Sequence, residues 1–432
     1  MADLVIRGAQ VVTGAGEPIV GGGVAVRGGR IVAVGPDADL PPGREVIEAA
    51  GAILMPGLIN THCHIASTLF RGLVEDLPLE PWLQTVWKAE AAILTPETTH
   101  LGSLLGLAEM ALAGVTTVLD MWWHPEATVE AARAVGLRIA TGGIVFDGPG
   151  VTGETPADRL AFADRFCRDH AAAEDVIACV LPHAAYTVGP ENLIAAKRVA
   201  DRHGAILTLH AAETAAEVAG IEARHGARVI GPLQGLGLLD DRTILAHCVH
   251  LEPGEIEVLA RSGTHVAHNP VSNLKLASGI APVPAMLAAG VNVSLGTDGA
   301  VSGNDLDPWL ALRLAAMLHR GATGDAAAVG RAQALAMATQ AGARALGREG
   351  ELGTLEPGRR ADMVLLDVSA PHALPLFDPV THLVFSAAKS DVRHVWVGGR
   401  AVVRDRALTG VSMPEIAARI RALAPRVAGS IR

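Results

Sequence analysis

Lysine is almost missing from this 432-residue chain, which carries only Lys88, Lys197, Lys275 and Lys389. No dense block of lysine or arginine occurs either. With a formal net charge of -10, the chain has no electrostatic footprint for nucleic acid or an anionic membrane. Cysteine is equally scarce: Cys63, Cys167, Cys179 and Cys248 are scattered and form no C-x-x-C pair, which excludes a disulfide framework and a structural zinc knot. No apolar run approaches the roughly 18 residues that suggest a membrane-spanning helix. The opening Met1-Ala2-Asp3-Leu4-Val5-Ile6-Arg7-Gly8 lacks the basic flank and apolar centre of a signal peptide. A cytoplasmic location is therefore expected, with a small-molecule substrate as partner and neither nucleic acid nor membrane.

Half of the residues are hydrophobic, and 48 glycines and 25 prolines punctuate them, which suits many short elements joined by tight turns. Residues 1–56 read as short strands separated by glycine-rich turns, and residues 351–405 share that texture. Neither end has enough strands for a core of its own, so the two are expected to pair. The middle alternates short apolar strands with helical patterns, the rhythm of a parallel sheet or barrel. Strand candidates are Ile53-Leu54-Met55 and residues 116–120, 138–141, 177–182, 206–210, 243–247, 265–268 and 291–296. The expected fold is α/β: a TIM-like (β/α)8 barrel over residues 57–350, with a composite β-sandwich built from residues 1–56 and 351–432, the latter including a C-terminal helix.

In such a barrel chemistry collects at the C-terminal ends of the strands. His62 and His64 follow the first strand candidate, His183 the fourth, His210 the fifth, His247 the sixth and Asp298 the eighth. Packing alone gives no reason to gather five histidines and an aspartate on one rim. On a strand, the His62-Cys63-His64 spacing points both imidazoles to one side and the Cys63 thiol to the other. Three imidazoles and a carboxylate hold a divalent ion while leaving a position open for water; His62, His64, His210 and Asp298 fit that description. Zinc is the first choice by ligand type, and iron, manganese or cobalt suit the same donors. A water on such an ion has a pKa on the order of 7. Glu213, three residues past His210, can reach that water and pass its proton to a substrate nitrogen. His247 either orients the attacking water or adds a ligand, and His250 lies further out. No lysine ends a middle strand where it could bridge two ions, so one divalent ion is expected.

The ordered set of residues 56–64, His210-Ala211-Ala212-Glu213-Thr214, His247-Cys248-Val249-His250, residues 272–279 and Gly296-Thr297-Asp298-Gly299 resembles the amidohydrolase superfamily. The resemblance is nearest to its metal-dependent deaminase branch acting on 5-methylthioadenosine and S-adenosylhomocysteine, with triazine hydrolases nearby. It implies one ion on His62, His64, His210 and Asp298, with Glu213 as proton shuttle, His247 against the attacking hydroxide and Asp298 helping to deprotonate the water. It also implies that Glu90 binds ribose hydroxyls, that His183 contacts substrate, and that homo-oligomers form. Gly143 stands where an arginine is expected, which weakens the case for a carboxylate-bearing substrate tail. Arg71 is a candidate substitute, and Trp122-Trp123-His124 a candidate for reshaping the pocket. The expected function is hydrolytic deamination of an amino-substituted N-heterocycle, foremost an adenosine-type nucleoside. The alternatives are a free base or pterin, a triazine-type chloro- or aminohydrolase, and a non-enzymatic barrel scaffold.

Overall fold

The computed structural model describes residues 1–431 as two nine-stranded sheets surrounded by helices. The parallel sheet starts at Leu58–His64 and runs in chain order through Val115–Asp120, Arg138–Val145, Val176–Pro182, Ile206–Ala211, Thr243–His247 and His265–His268 to Val293–Leu295. Most of these strands are buried along their whole length, as expected when helices cover one face and packed side chains the other. The sheet curls until the short Asp298–Gly299 segment pairs with Cys63 and His64 of the first strand, an arrangement consistent with a TIM-like barrel.

The last strand is broken at Gly296-Thr297, and the break sets the position of Asp298. A Cβ on Gly296 would lie 2.2 Å from Asn269 Oδ1 and 2.9 Å from His62 Cβ, so only glycine fits between them. Asn60 then locks the break to the first strand. Its side-chain oxygen accepts from the Thr297 N–H at 3.2 Å, and its amide donates to Thr297 Oγ1 at 2.7 Å.

The two chain ends do share a sheet. Met363–Asp367 runs antiparallel to Ala52–Pro56, which in turn pairs with Ala2–Val11. Here one expectation is corrected: Ile53-Leu54-Met55 belongs to this end sheet, and the first parallel strand is Leu58–His64 itself. Ile53-Leu54-Met55 and Leu58-Ile59 are both short, apolar and buried, and Pro56-Gly57 redirects the chain between the sheets. The two histidines therefore lie on a strand rather than after one. The C-terminal helix Met413–Gly429 packs against the Leu79–Ile93 and Pro96–Leu112 helices.

A buried ion pair ties the two sheets together. Arg138 Nη1, at the start of the third parallel strand, donates to Asp362 Oδ2 at 2.5 Å and to Thr117 Oγ1 at 3.0 Å. Asp362 Oδ1 accepts from the Gly398 N–H at 2.8 Å. Both charged side chains are about 95% buried, at 6% and 5% exposure. Asp362→Ala leaves the Arg138 guanidinium buried without its counter-charge, which costs about 3–5 kcal/mol. A markedly lower thermal midpoint is expected in scanning calorimetry; an unchanged midpoint counts against this tie.

Candidate active site

Five of the strand-end residues converge. The rings of His62 and His64 meet edge to face with centroids 4.9 Å apart, and His62 makes the same contact with His210 at 4.9 Å. Cys63 points the other way into the hydrophobic core, as the alternation of a strand requires. Burial pushes its thiol pKa well above the ordinary range, so it is a packing residue.

The second nitrogen of each ring determines what the site can hold. His64 Nδ1–H donates to the Met121 carbonyl and His210 Nδ1–H to the His183 carbonyl, both at 2.7 Å. These bonds fix the tautomers of the neutral rings, in which the two Nε2 atoms face each other as bare lone pairs only 3.3 Å apart. Asp298 Oδ1 lies 3.2 Å from His64 Nε2 and 3.5 Å from His62 Nε2. That oxygen and both ring nitrogens of His62 are buried without a hydrogen-bond partner among the described residues. Two lone pairs and a carboxylate oxygen pointed at one spot require a positive charge there. Burial opposes charge on His64, yet Asp298 and the Met121 carbonyl push its pKa up to about 9, whereas burial takes His62 down to about 4. Against the upward push of burial, the His62 and His64 rings hold Asp298 well below the ordinary carboxylate range. The nitrogen and oxygen donors of His62, His64, His210 and Asp298 thus suit a divalent ion, and His62, His247 and Asp298 also group closely enough to share one.

Glu213 and His247 flank this cluster. His247 Nδ1–H donates to Asn273 Oδ1 at 2.8 Å, leaving Nε2 bare and 3.8 Å from Glu213 Oε2. Burial raises the Glu213 pKa above its ordinary value, while His247 opposes the shift. Ser278 Oγ–H donates to Glu213 Oε1 at 3.4 Å. Asp298 Oδ2 accepts from Ser302 Oγ–H at 2.9 Å. Four non-glycine residues at these strand ends, Ala212, His247, Cys248 and Asp298, have φ between +48° and +75°. Such left-handed backbone is uncommon outside glycine and concentrates at functional sites.

Glu90 and His183 line the same cavity as His64, His210, Glu213, His247 and Asp298. Glu90 is buried rather than on an exposed helix face; it accepts from Trp123 Nε1–H at 3.2 Å. Burial lifts its pKa to about 7, and the Trp123 bond works against that shift. His183 packs edge to face on Trp87, Phe146 and Tyr186, and burial lowers its pKa to about 3. The cavity holds about 80 Å³, below the roughly 300 Å³ at the small end of ligand pockets. It shares a collar of Leu79, Trp82, Leu83, Trp87, Tyr186 and Leu276 with a neighbouring groove of about 990 Å³.

Two sequence candidates lie elsewhere. Arg71 pairs with Glu109 and donates to the Asn304 carbonyl at 2.6 Å, so it does not stand in for an arginine at 143. Gly143 faces the Pro156–Asp169 helix, where a Cβ would lie 2.6 Å from that of Ala163. His250 donates from Nε2 to the Ser278 carbonyl at 2.7 Å, supporting the loop beside Glu213. Sequence reasoning missed Glu217, whose carboxylate accepts from the backbone N–H groups of Ala212 and Glu213 at 3.1 and 2.7 Å. Its only signal was its place three residues after Thr214, the cap of the following helix.

Comparison with known proteins places these features in context. The sequence profile of the Amidohydrolase family matches residues 53–402, and that of an imidazolonepropionase-like composite domain from bacteria matches residues 22–42. The chain is 41% identical over 429 residues to a 5-methylthioadenosine/S-adenosylhomocysteine deaminase of Syntrophobacter fumaroxidans, covering 98% of each. It is 42% identical over 412 residues to a 5'-deoxyadenosine deaminase of Methanosarcina mazei, covering 94% of each. Among solved structures, an adenosine deaminase from Xanthomonas campestris with bound zinc superposes with a TM-score of 0.96 at 35% identity, covering 99% of both chains.

Proposed function

The chain belongs to the amidohydrolase family, and on that premise we propose that it is a metal-dependent hydrolytic deaminase of adenosine-type nucleosides. The observation that carries this reading is the convergence of the bare His64 and His210 nitrogens and the unpartnered Asp298 oxygen beside a buried Glu213. Relatives of near-equal length named for deamination of methylthioadenosine, adenosylhomocysteine and 5'-deoxyadenosine support the substrate class. On the same basis we read the parallel sheet as a closed (β/α)8 barrel over residues 57–350. We read residues 1–56 and 351–431, whose strands share one sheet, as a β-sandwich unit whose final helix packs on the barrel side.

In this reading His62, His64, His210 and Asp298 hold one divalent ion, zinc by ligand type. When bound, such an ion supplies Lewis-acid activation of water, lowering its pKa to about 7. Glu213 moves the protons. Its raised pKa lets it accept one from the attacking water and deliver it to the ring nitrogen adjacent to the amino-bearing carbon. Asp298 assists the first transfer, with Ser302 holding its other oxygen in place. His247, oriented by Asn273, directs Nε2 at the incoming oxygen. Glu213 then carries the hydroxyl proton of the tetrahedral carbon to the amino nitrogen, and collapse expels ammonia and leaves a ring carbonyl. Glu90 takes the ribose hydroxyls and His183 packs on the nucleoside. Ammonia release across adenosine, methylthioadenosine, adenosylhomocysteine, guanine, 8-oxoguanine, cytosine and pterins tests the reading; turnover confined to the free bases or pterins contradicts it.

The Glu90 assignment yields a pH dependence. Its carboxylate accepts from the Trp123 N–H, and burial is the larger influence on its charge. Because its pKa is raised to about 7, Glu90 is protonated below that pH and ionised above it. An ionised carboxylate accepts from two hydroxyls more strongly than a neutral acid does. KM for a nucleoside is therefore expected to rise as pH falls through about 7, and the step should vanish in Glu90→Gln. A KM profile flat in both proteins removes Glu90 from ribose binding.

A further inference from the structure

The charge inventory of the cavity and of its mouth bears on which 5' substituent the site accepts. Glu90, Glu213 and Asp298 bring carboxylates to the cavity wall, and among the described residues no lysine or arginine lines it. The arginines behind the wall are already occupied. Arg159 is buried with its donors on the carbonyls of Phe146, Gly148 and Pro149, its guanidinium 5.5 Å from the Trp123 ring centre. Arg71 is held by Glu109 and Asn304.

The exit is apolar and then acidic. Beyond the collar the groove is bordered by Glu75, Asp76, Glu80 and Glu217 against Lys275 and Arg224. Lys275 is bound to Glu75 Oε2 and Asn304 Oδ1, both at 2.9 Å. Among the described residues that border the groove, Arg224 is the remaining cation, exposed on the outer rim.

We propose that the site selects adenosine-type nucleosides with a neutral, apolar 5' group, such as 5'-deoxy or 5'-methylthio, and discriminates against those whose tail carries an amino-acid carboxylate. This rests on the deaminase reading above. A thioalkyl group within the Leu79, Leu83 and Leu276 collar exchanges water for apolar contact. A carboxylate in the same place loses its hydration with no lysine or arginine among the described residues to replace it. Specificity then arises from rejecting the longer tail as much as from binding the shorter one.

The test measures kcat/KM for methylthioadenosine and for S-adenosylhomocysteine with the metal-loaded full chain, in the native protein and in Arg224→Gln. The expected result is a preference for methylthioadenosine of roughly 10²-fold or more, with weak competitive inhibition by S-adenosylhomocysteine and the same ratio in Arg224→Gln. Equal kcat/KM values overturn the proposal while leaving the deaminase reading intact. Turnover of S-adenosylhomocysteine that falls selectively in Arg224→Gln overturns it too, because Arg224 would then be a tail anchor. Absence of ammonia from every nucleoside overturns the deaminase reading and this inference with it.

Discussion

Glu213→Gln is expected to lower kcat by roughly 10⁴-fold or more, at or beyond the upper end of what one general acid-base group contributes. The size follows from Glu213 moving more than one proton in each cycle. Glutamine matches it in shape and still accepts from Ser278, so the wall near Ser278 and His247 stays packed. It cannot take up a proton at neutral pH. Because Glu213 is not among the residues assigned to the ion, metal content should be unchanged, and a substrate complex should accumulate. Near-normal turnover in a variant with its normal metal content would remove Glu213 from the proton path.

Asp298→Asn acts on the other half of the site. Asp298 Oδ1 stands 3.2 and 3.5 Å from two histidine nitrogens with no hydrogen-bond donor among the described residues. An amide NH₂ in its place would donate to those same lone pairs and fill the spot with neutral hydrogen bonds. Metal affinity should fall by more than the roughly 10–100-fold typical of losing an outer partner of a ligand, and turnover should fall with it. The metal-free variant is expected to be at least as thermally stable as the metal-free native chain, since the buried orphan oxygen is gone. A variant that keeps both its metal and its turnover contradicts the assignment of Asp298.

The residues of this centre were legible because strand alternation and the βα rhythm place polar strand ends on one rim, and both patterns are local. His62, His64, His210, His247 and Asp298 could be gathered from sequence order alone. What was not legible depends on contacts between distant segments. Ile53-Leu54-Met55 and Leu58-Ile59 are both short buried apolar runs, and only the pairing of Ala52–Pro56 with Met363–Asp367 assigns the first of them to the end sheet. Glu90 reads as an ordinary helix carboxylate until Trp123, 33 residues away, donates to it. Glu217 and Asn273 act on Glu213 and His247 through hydrogen bonds that no spacing announces. At Gly143 the reason for glycine is the approach of Ala163 across the helix layer.

The central claim is that one divalent ion, held by His62, His64, His210 and Asp298, makes this chain a nucleoside deaminase. The most direct measurement is ammonia release from methylthioadenosine by metal-stripped protein titrated with zinc. The account predicts no activity without metal and a linear rise that ends at one equivalent per chain. A break at two equivalents, or activity indifferent to metal, would contradict it.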